Sequence, residues 1–237
     1  MPSVTIARQL GSGGEEIAAL VAERLGARLL DHELLLRASE RSGVPASDLE
    51  DLDERGRGML RRPIDLVHLV PLPPINPDLP DVTGDRYPPT GPVLARGEGL
   101  VSPAYWAAEA YASLLARTMQ AEVSAGDVVI VGRCGNEALA ATPGVLHILV
   151  IAGQRTRLER IMADAKVNAF DALDAIKESD RKRAAYARQF YGADWLAPGR
   201  YDLVINTDQM DFTAAAELVM LAAQRLVTPP TPAVVAV

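Results

Sequence analysis

Residues 4–26 read VTIARQLGSGGEEIAALVAERLG, and three kinds of local structure follow one another in them. Val4–Ala7 is a short apolar run with β-branched residues, the composition of a strand buried on both faces. Gly11, Gly13 and Gly14 break it with a flexible turn, and from Glu16 to Leu25 apolar residues recur at spacings of three and four, the period of an amphipathic helix. In a strand–glycine turn–helix unit the backbone N–H groups converge where the positive end of the helix dipole points, which suits a phosphate. The plainer reading is a tight turn that holds no ligand.

The loop departs from both common phosphate-binding fingerprints. Glu16 occupies the third glycine position of G-x-G-x-x-G, and no lysine followed by a hydroxyl residue completes G-x-x-x-x-G-K-[ST]. Glu15 and Glu16 favour the helix dipole but compete with an incoming phosphate. Positive charge must therefore come from elsewhere, and Arg8, just ahead of the glycines, is the nearest source.

Working outward, further apolar, β-rich runs at Arg28–Leu30, Val128–Val131, Leu146–Ile151 and Leu203–Asn206 alternate with helical periodicity at Glu33–Ser42, Ala104–Ser124, Arg155–Lys166, Leu173–Arg188 and Phe212–Leu226. This alternation predicts an α/β three-layer fold: five parallel strands in the order 2-3-1-4-5, helices on both faces, the first strand central. Two stretches break the rhythm. Pro71–Pro92 holds eight prolines in 22 residues, which excludes regular helix or central strand. It reads as an active-site cover, an arm for a homo-oligomer, or a disordered loop. The tail from Thr228 to Val237 reads as disordered, and the rest as one domain over residues 1–227.

Three more constellations carry chemistry. Asp31 lies at the carboxyl edge of the second strand, where it suits a ligand or the N-cap of the following helix equally; Arg37 is the one cation in the apolar stretch that follows. His32 reads as structural. Arg133, flanked by Gly132 and Cys134-Gly135 at the end of an all-apolar strand, is placed to grip a phosphate with its planar fork, the alternative being a surface ion pair. Arg155, Arg157 and Arg160 open one helix, and Asp180, Arg181 and Arg183 lie on the next, with Asp180 and Arg183 paired at i, i+3. That helix offers guanidinium groups with an acceptor for a base or ribose beside them, whereas Lys177 and Lys182 read as a solvated face.

Composition narrows the function. The net charge of −7 argues against sequence-independent binding to long nucleic acids. Residues 155–188 nevertheless hold nine Lys/Arg against six Asp/Glu, an anion-facing segment on an acidic body. A single cysteine, Cys134, excludes an internal disulfide framework and a Cys-based metal site. No run approaches the roughly 18 apolar residues of a membrane span, which sets the expectation of a cytoplasmic protein without a membrane partner.

The order of these motifs resembles the cytidylate kinase-like family of P-loop nucleoside monophosphate kinases. The pattern of ordinary cytidylate kinases runs without a gap from Val4 to Ala38 and places Asp31 and Arg37 on its aspartate and on the arginine of its Tyr-Arg pair. Gly132-Arg133 matches its Gly-Arg-Asp motif, Arg157 and Arg160 match the arginines that open its lid, and YDLVINTD from Tyr201 resembles its final strand. Gly14 stands in place of the catalytic lysine and Leu36 in place of the tyrosine, and the run Asp180–Arg183 fits in two registers. The lysine-free GSGG loop is typical of the cytidylate kinase-like group.

The resemblance implies transfer of the ATP γ-phosphoryl group, with Mg²⁺, to CMP or dCMP as the small-molecule acceptor. Gly11, Ser12, Gly13 and Gly14 would cradle the donor phosphates; Arg8, Arg157 and Arg160 would supply catalytic charge. Asp31, Arg37, Arg133, Asp180, Arg181 and Arg183 would bind the acceptor. Residues 56–103 become an acceptor-side insertion and 155–190 a lid-like segment. A nucleotide-binding sensor without kinase activity, or a kinase for another small metabolite, are the alternatives.

Overall fold

The computed structural model describes residues 2–53 and 103–226. The proline-rich stretch Pro71–Pro92, the insertion assigned to residues 56–103 apart from Pro103, and the tail 228–237 lie outside the described residues.

Five strands form one sheet: β1 (Ser3–Arg8), β2 (Arg28–Leu30), β3 (Val128–Val131), β4 (Val145–Ile151) and β5 (Leu203–Asn206). All pairs are parallel and the order is β2-β3-β1-β4-β5, as the alternating pattern required. Eight α-helices connect or flank them among the described residues: α1 (Gly14–Leu25), α2 (Glu33–Ser42), α3 (Ala46–Leu52), α4 (Pro103–Ala125), α5 (Gly135–Ala138), α6 (Gln154–Ala165), α7 (Ala169–Tyr191) and α8 (Phe212–Leu226). The short helices α3 and α5 were not legible, since seven and four residues are too few to set up a period.

Each face of the sheet has its own core, which is why β3 reads as an unbroken apolar run and β1 and β4 as mainly apolar ones. On one face Ile17, Ala18 and Val21 of α1 and Ala215, Ala216 and Val219 of α8 close over Val4, Ile6, Ile148 and Val150. On the other, Leu34 and Leu35 of α2, Tyr111, Leu115 and Met119 of α4 and Tyr186 of α7 close over Val128 and Ile130. Burying an aliphatic side chain of this size contributes about 1.5–3 kcal/mol. Both layers therefore fix β1 at the centre, and the loop that follows Arg8 emerges at the middle of the sheet's carboxyl edge.

Candidate functional site

The loop from Gln9 to Gly14 is held closed by its own backbone and by three neighbours. Ser12 N and Ser12 Oγ both donate to Gln9 O, at 3.1 and 2.7 Å, so the serine hydroxyl is buried and turned inward. Gly11 and Gly13 adopt φ of 77° and 81°, the left-handed region that glycine enters without cost. Contact is as restrictive as conformation. A Cβ on Gly13 would lie 2.1 Å from the Phe212 ring, one on Gly11 2.9 Å from Arg157 O, and one on Gly14 2.3 Å from Arg8 Cβ. Protein atoms thus account for the glycines behind the loop, while the first-turn N–H groups of α1, which no side chain caps, face away from an intrahelical partner.

The arginines gather around this loop. Arg8 is 2% exposed and its Nη2 lies 3.2 Å from Glu15 Oε1. Arg157 donates from Nε to Leu10 O at 2.7 Å and from Nη1 and Nη2 to the two oxygens of Asp180 at 2.9 and 2.8 Å. Arg160 donates to Gly11 O, Thr207 Oγ1 and Thr207 O and stacks over the Phe212 ring. Asp180 is therefore paired with Arg157 across two helices, not with Arg183 at i, i+3; Arg183 turns to Ser179. Arg181 is engaged with Glu178 in the exposed part of α7.

Thr207 was not singled out in the sequence, and it ties this shell together. Its hydroxyl donates to Ser12 O at 2.7 Å and accepts from Arg160 Nη1 at 2.9 Å, fully buried. Thr207→Val keeps the shape and removes both bonds, leaving a buried carbonyl and part of a guanidinium unsatisfied. The expected loss is about 1–3 kcal/mol in chemical denaturation, with an unchanged far-ultraviolet circular dichroism spectrum.

Two cavities open along the carboxyl edge. A small one lies at the ends of β1 and β3, lined by Ala7, Arg8, Gly132, Asn136, Arg183 and Trp195. A larger one, about 330 Å³, lies at the ends of β4 and β5, with Leu149, Ile151, Leu196 and Val204 as walls and Gln9, Asn206 and Asp208 at its polar rim. Hydrogen bonds orient that rim: Ala152 N donates to Gln9 Oε1, and Asp208 N to Asn206 Oδ1. Hydrogen bonds from the Thr156 side chain and from Gly153 N hold the Asp208 carboxyl below its usual range.

Arg133 is 1% exposed, although a surface ion pair was the alternative reading. It and Cys134 both have positive φ, 52° and 50°, in a turn closed by Gly135 N donating to Gly132 O. Its fork meets both oxygens of Asp53, Nε at 2.9 Å from Oδ1 and Nη2 at 3.1 Å from Oδ2. Its Nη1 donates to Asp31 O at 2.6 Å and to Asp31 Oδ1 at 3.2 Å. The Asp31 carboxylate thus serves Arg133, and α2 begins without a side-chain cap. Asp53, 4% exposed and also contacted by the Tyr111 hydroxyl, had been indistinguishable within the acidic run DLEDLDE.

Arg37 sits elsewhere. With Arg28 and Arg41 it surrounds Glu122, which is 3% exposed, beside the first residues of β2 and β3 and hence at the opposite edge of the sheet from the loop. Burial raises the Glu122 carboxyl, but hydrogen bonds from Arg28 and Arg41 and the charge of Arg37 carry it below its ordinary value. A carboxylate so lowered adds stability above the unfolded value of 4.5 and loses it as pH falls through the folded one. Glu122→Gln should remove about 2 kcal/mol at pH 7 and flatten the decline of stability below pH 4.5; an unaltered acid limb would refute the pairing.

Comparison with known proteins adds to this geometry. The sequence model of the cytidylate kinase-like family matches residues 3–209. A cytidylate kinase from Methanosarcina acetivorans is 28% identical over 104 residues, covering 44% of this chain and 58% of that protein. A uronate isomerase from Corynebacterium glutamicum is 38% identical over 101 residues, 41% of this chain but 19% of that protein. The chain thus spans less than two thirds of the length of both curated relatives. An uncharacterised protein from Eubacterium ventriosum has a solved structure that covers 94% of this chain and 99% of its own, with 19% identity and a TM-score of 0.61. At that identity the likeness shows the fold alone.

Proposed function

Because the chain belongs to the cytidylate kinase-like family, whose activity is nucleotide phosphorylation, we propose that it transfers the γ-phosphoryl group of ATP to a nucleoside monophosphate, CMP or dCMP. The observation that carries this reading is the small cavity beside the loop, lined by two buried arginines from separate elements, Arg8 at the end of β1 and Arg183 on α7. Phosphoryl transfer needs positioning and charge neutralisation more than proton transfer. Backbone N–H groups of Gly13 and Gly14 and the α1 dipole bind the donor phosphates, and Arg8 and Arg183 face the charge that develops between donor and acceptor. Arg157 and Arg160 act as positioning residues: they hold the carbonyls of Leu10 and Gly11 and so aim the loop's N–H groups outward. Arg133 and Asp31 flank the acceptor side at the ends of β2 and β3. The β4–β5 cleft is large enough for a nucleobase.

Among the described residues no group of three or more His, Cys, Asp or Glu side chains could hold a metal. The Ser12 hydroxyl donates to Gln9 O and Glu15 is paired with Arg8, so the loop does not fit a resident Mg²⁺. We assign the metal to the substrate, as the MgATP complex whose phosphate oxygens and waters complete its shell. Among the described residues no helix is long and apolar enough to cross a membrane.

The test is ADP release with ATP and, in turn, CMP, dCMP, UMP and AMP, beside thermal shifts with each nucleotide. ADP formation that depends on CMP or dCMP supports the reading. Stabilisation by nucleotides without any transfer would favour a binding protein, the reading to which the glycine in the lysine's position points.

A further inference from the structure

The fork of Arg133 is already occupied in the way a phosphate would occupy it. Its Nη2 donates to Asp53 Oδ2 at 3.1 Å, and its Nε lies in ion-pair contact with Asp53 Oδ1 at 2.9 Å, so one carboxylate covers the edge of the guanidinium that suits a carboxylate or a phosphate. Both partners are buried, Arg133 at 1% and Asp53 at 4% exposure. Arg133 is held there by a backbone in the left-handed region at two successive non-glycine residues, a conformation that costs of order 1–3 kcal/mol at each and persists only where the surroundings impose it. The third nitrogen is turned the other way, to Asp31. An acceptor phosphate that approaches this arginine therefore meets a guanidinium edge already covered by the carboxylate of Asp53, the residue that caps the C-terminus of α3.

We propose that Asp53 is a placeholder for the acceptor phosphate, exchanged for it on Arg133 when the nucleotide binds. This rests on the reading of Arg133 as an acceptor-side residue. Before binding, the carboxylate keeps a buried guanidinium neutralised, which avoids the large penalty of an uncompensated charge. On binding, the phosphate takes the same two nitrogens and Asp53 is released, with the end of α3 (Ala46–Leu52) losing the contact that anchors it. The displaced carboxylate weakens every ligand that must displace it, and leaves untouched any ligand that carries no phosphate. Asp53 thereby sets how much of the acceptor's affinity comes from its phosphate.

Asp53→Asn is nearly isosteric, retains an oxygen facing Arg133, and leaves Asp31 as the arginine's counter-charge. Calorimetric titration of the wild type and this variant should show CMP binding three- to tenfold tighter in the variant, with cytidine and inorganic tripolyphosphate each within twofold. A CMP gain below twofold, or a loss, would overturn the placeholder and leave Asp53 a structural partner. Should the variant not fold, amide hydrogen exchange on the wild type decides. Saturating CMP should speed exchange across residues 46–53 if Asp53 is released, and slowed or unchanged exchange there overturns the proposal. If CMP binds neither protein while tripolyphosphate binds both, the acceptor assignment itself fails, an outcome distinct from equal CMP affinities in the two proteins.

Discussion

Gly14→Lys is expected to abolish ATP binding and to lower stability by about 3 kcal/mol, although it restores the residue that an ordinary phosphate loop carries at this position. The helical backbone of Gly14 tolerates a side chain, as its φ lies outside the left-handed region. Space does not. The new Cβ would lie 2.3 Å from Arg8 Cβ and 2.9 Å from Arg8 Cγ, with Val150 behind at 3.4 Å. Arg8 Cβ is fixed to a central strand paired on both sides, so the collision is with atoms that cannot swing aside. An ammonium there would also repel the buried Arg8 guanidinium, whose side chain it abuts. Arg8→Ala is the companion measurement: ATP binding or turnover should be lost while the circular dichroism spectrum is retained. Tighter ATP binding in Gly14→Lys, or unchanged binding in Arg8→Ala, would show that the loop is a phosphate cradle merely missing its lysine.

The sheet was legible in the sequence because strands buried on both faces are rich in apolar residues: β3 is apolar throughout, and the few polar residues of β1 and β4 include Thr5 and His147, which hydrogen-bond to each other. The same rule placed the glycine loop at the centre of the carboxyl edge. Side-chain partners were less legible, for a physical reason that the cases share. Arg37 looked like a ligand-facing cation because periodicity places it on α2 but says nothing of Glu122, 85 positions away, beneath it. Asp180 and Arg183 suit each other at i, i+3, yet a bidentate contact with Arg157 from α6 brings Asp180 two charge-assisted bonds in place of one weak local pair. Thr207 and Asp53 are ordinary residue types in ordinary surroundings of sequence. Only the fold brings one against Ser12 and the other against Arg133. The spacing of three glycines in four residues did carry information about close approach, and what approaches from behind is Arg8, Phe212 and the Arg157 backbone.

Arg133→Ala is expected to cost about 3–5 kcal/mol, the range found when one partner of a buried ion pair is removed, and more than loss of a phosphate contact alone would account for. Asp53, 4% exposed, would keep its charge without this guanidinium, and the Tyr111 hydroxyl at 3.4 Å supplies no cation, burial pushing its own ionisation well above its ordinary value. Asp31, more exposed at 28%, can turn to water. The buried carboxylate deprived of the Arg133 charge therefore dominates, and removing it should return much of the stability: Arg133→Met with Asp53→Leu is expected to recover at least half of the loss, since buried pairs replaced by apolar groups of similar volume are often neutral. Acceptor binding separates the two roles of the arginine. The stable double variant should still bind tripolyphosphate at the loop, whereas its CMP affinity should fall at least tenfold, the equivalent of about 1.4 kcal/mol, because no fork remains for the acceptor phosphate. A double variant that is stable and binds CMP as tightly as the wild type would reduce Arg133 to a structural ion-pair partner and remove it from the acceptor site.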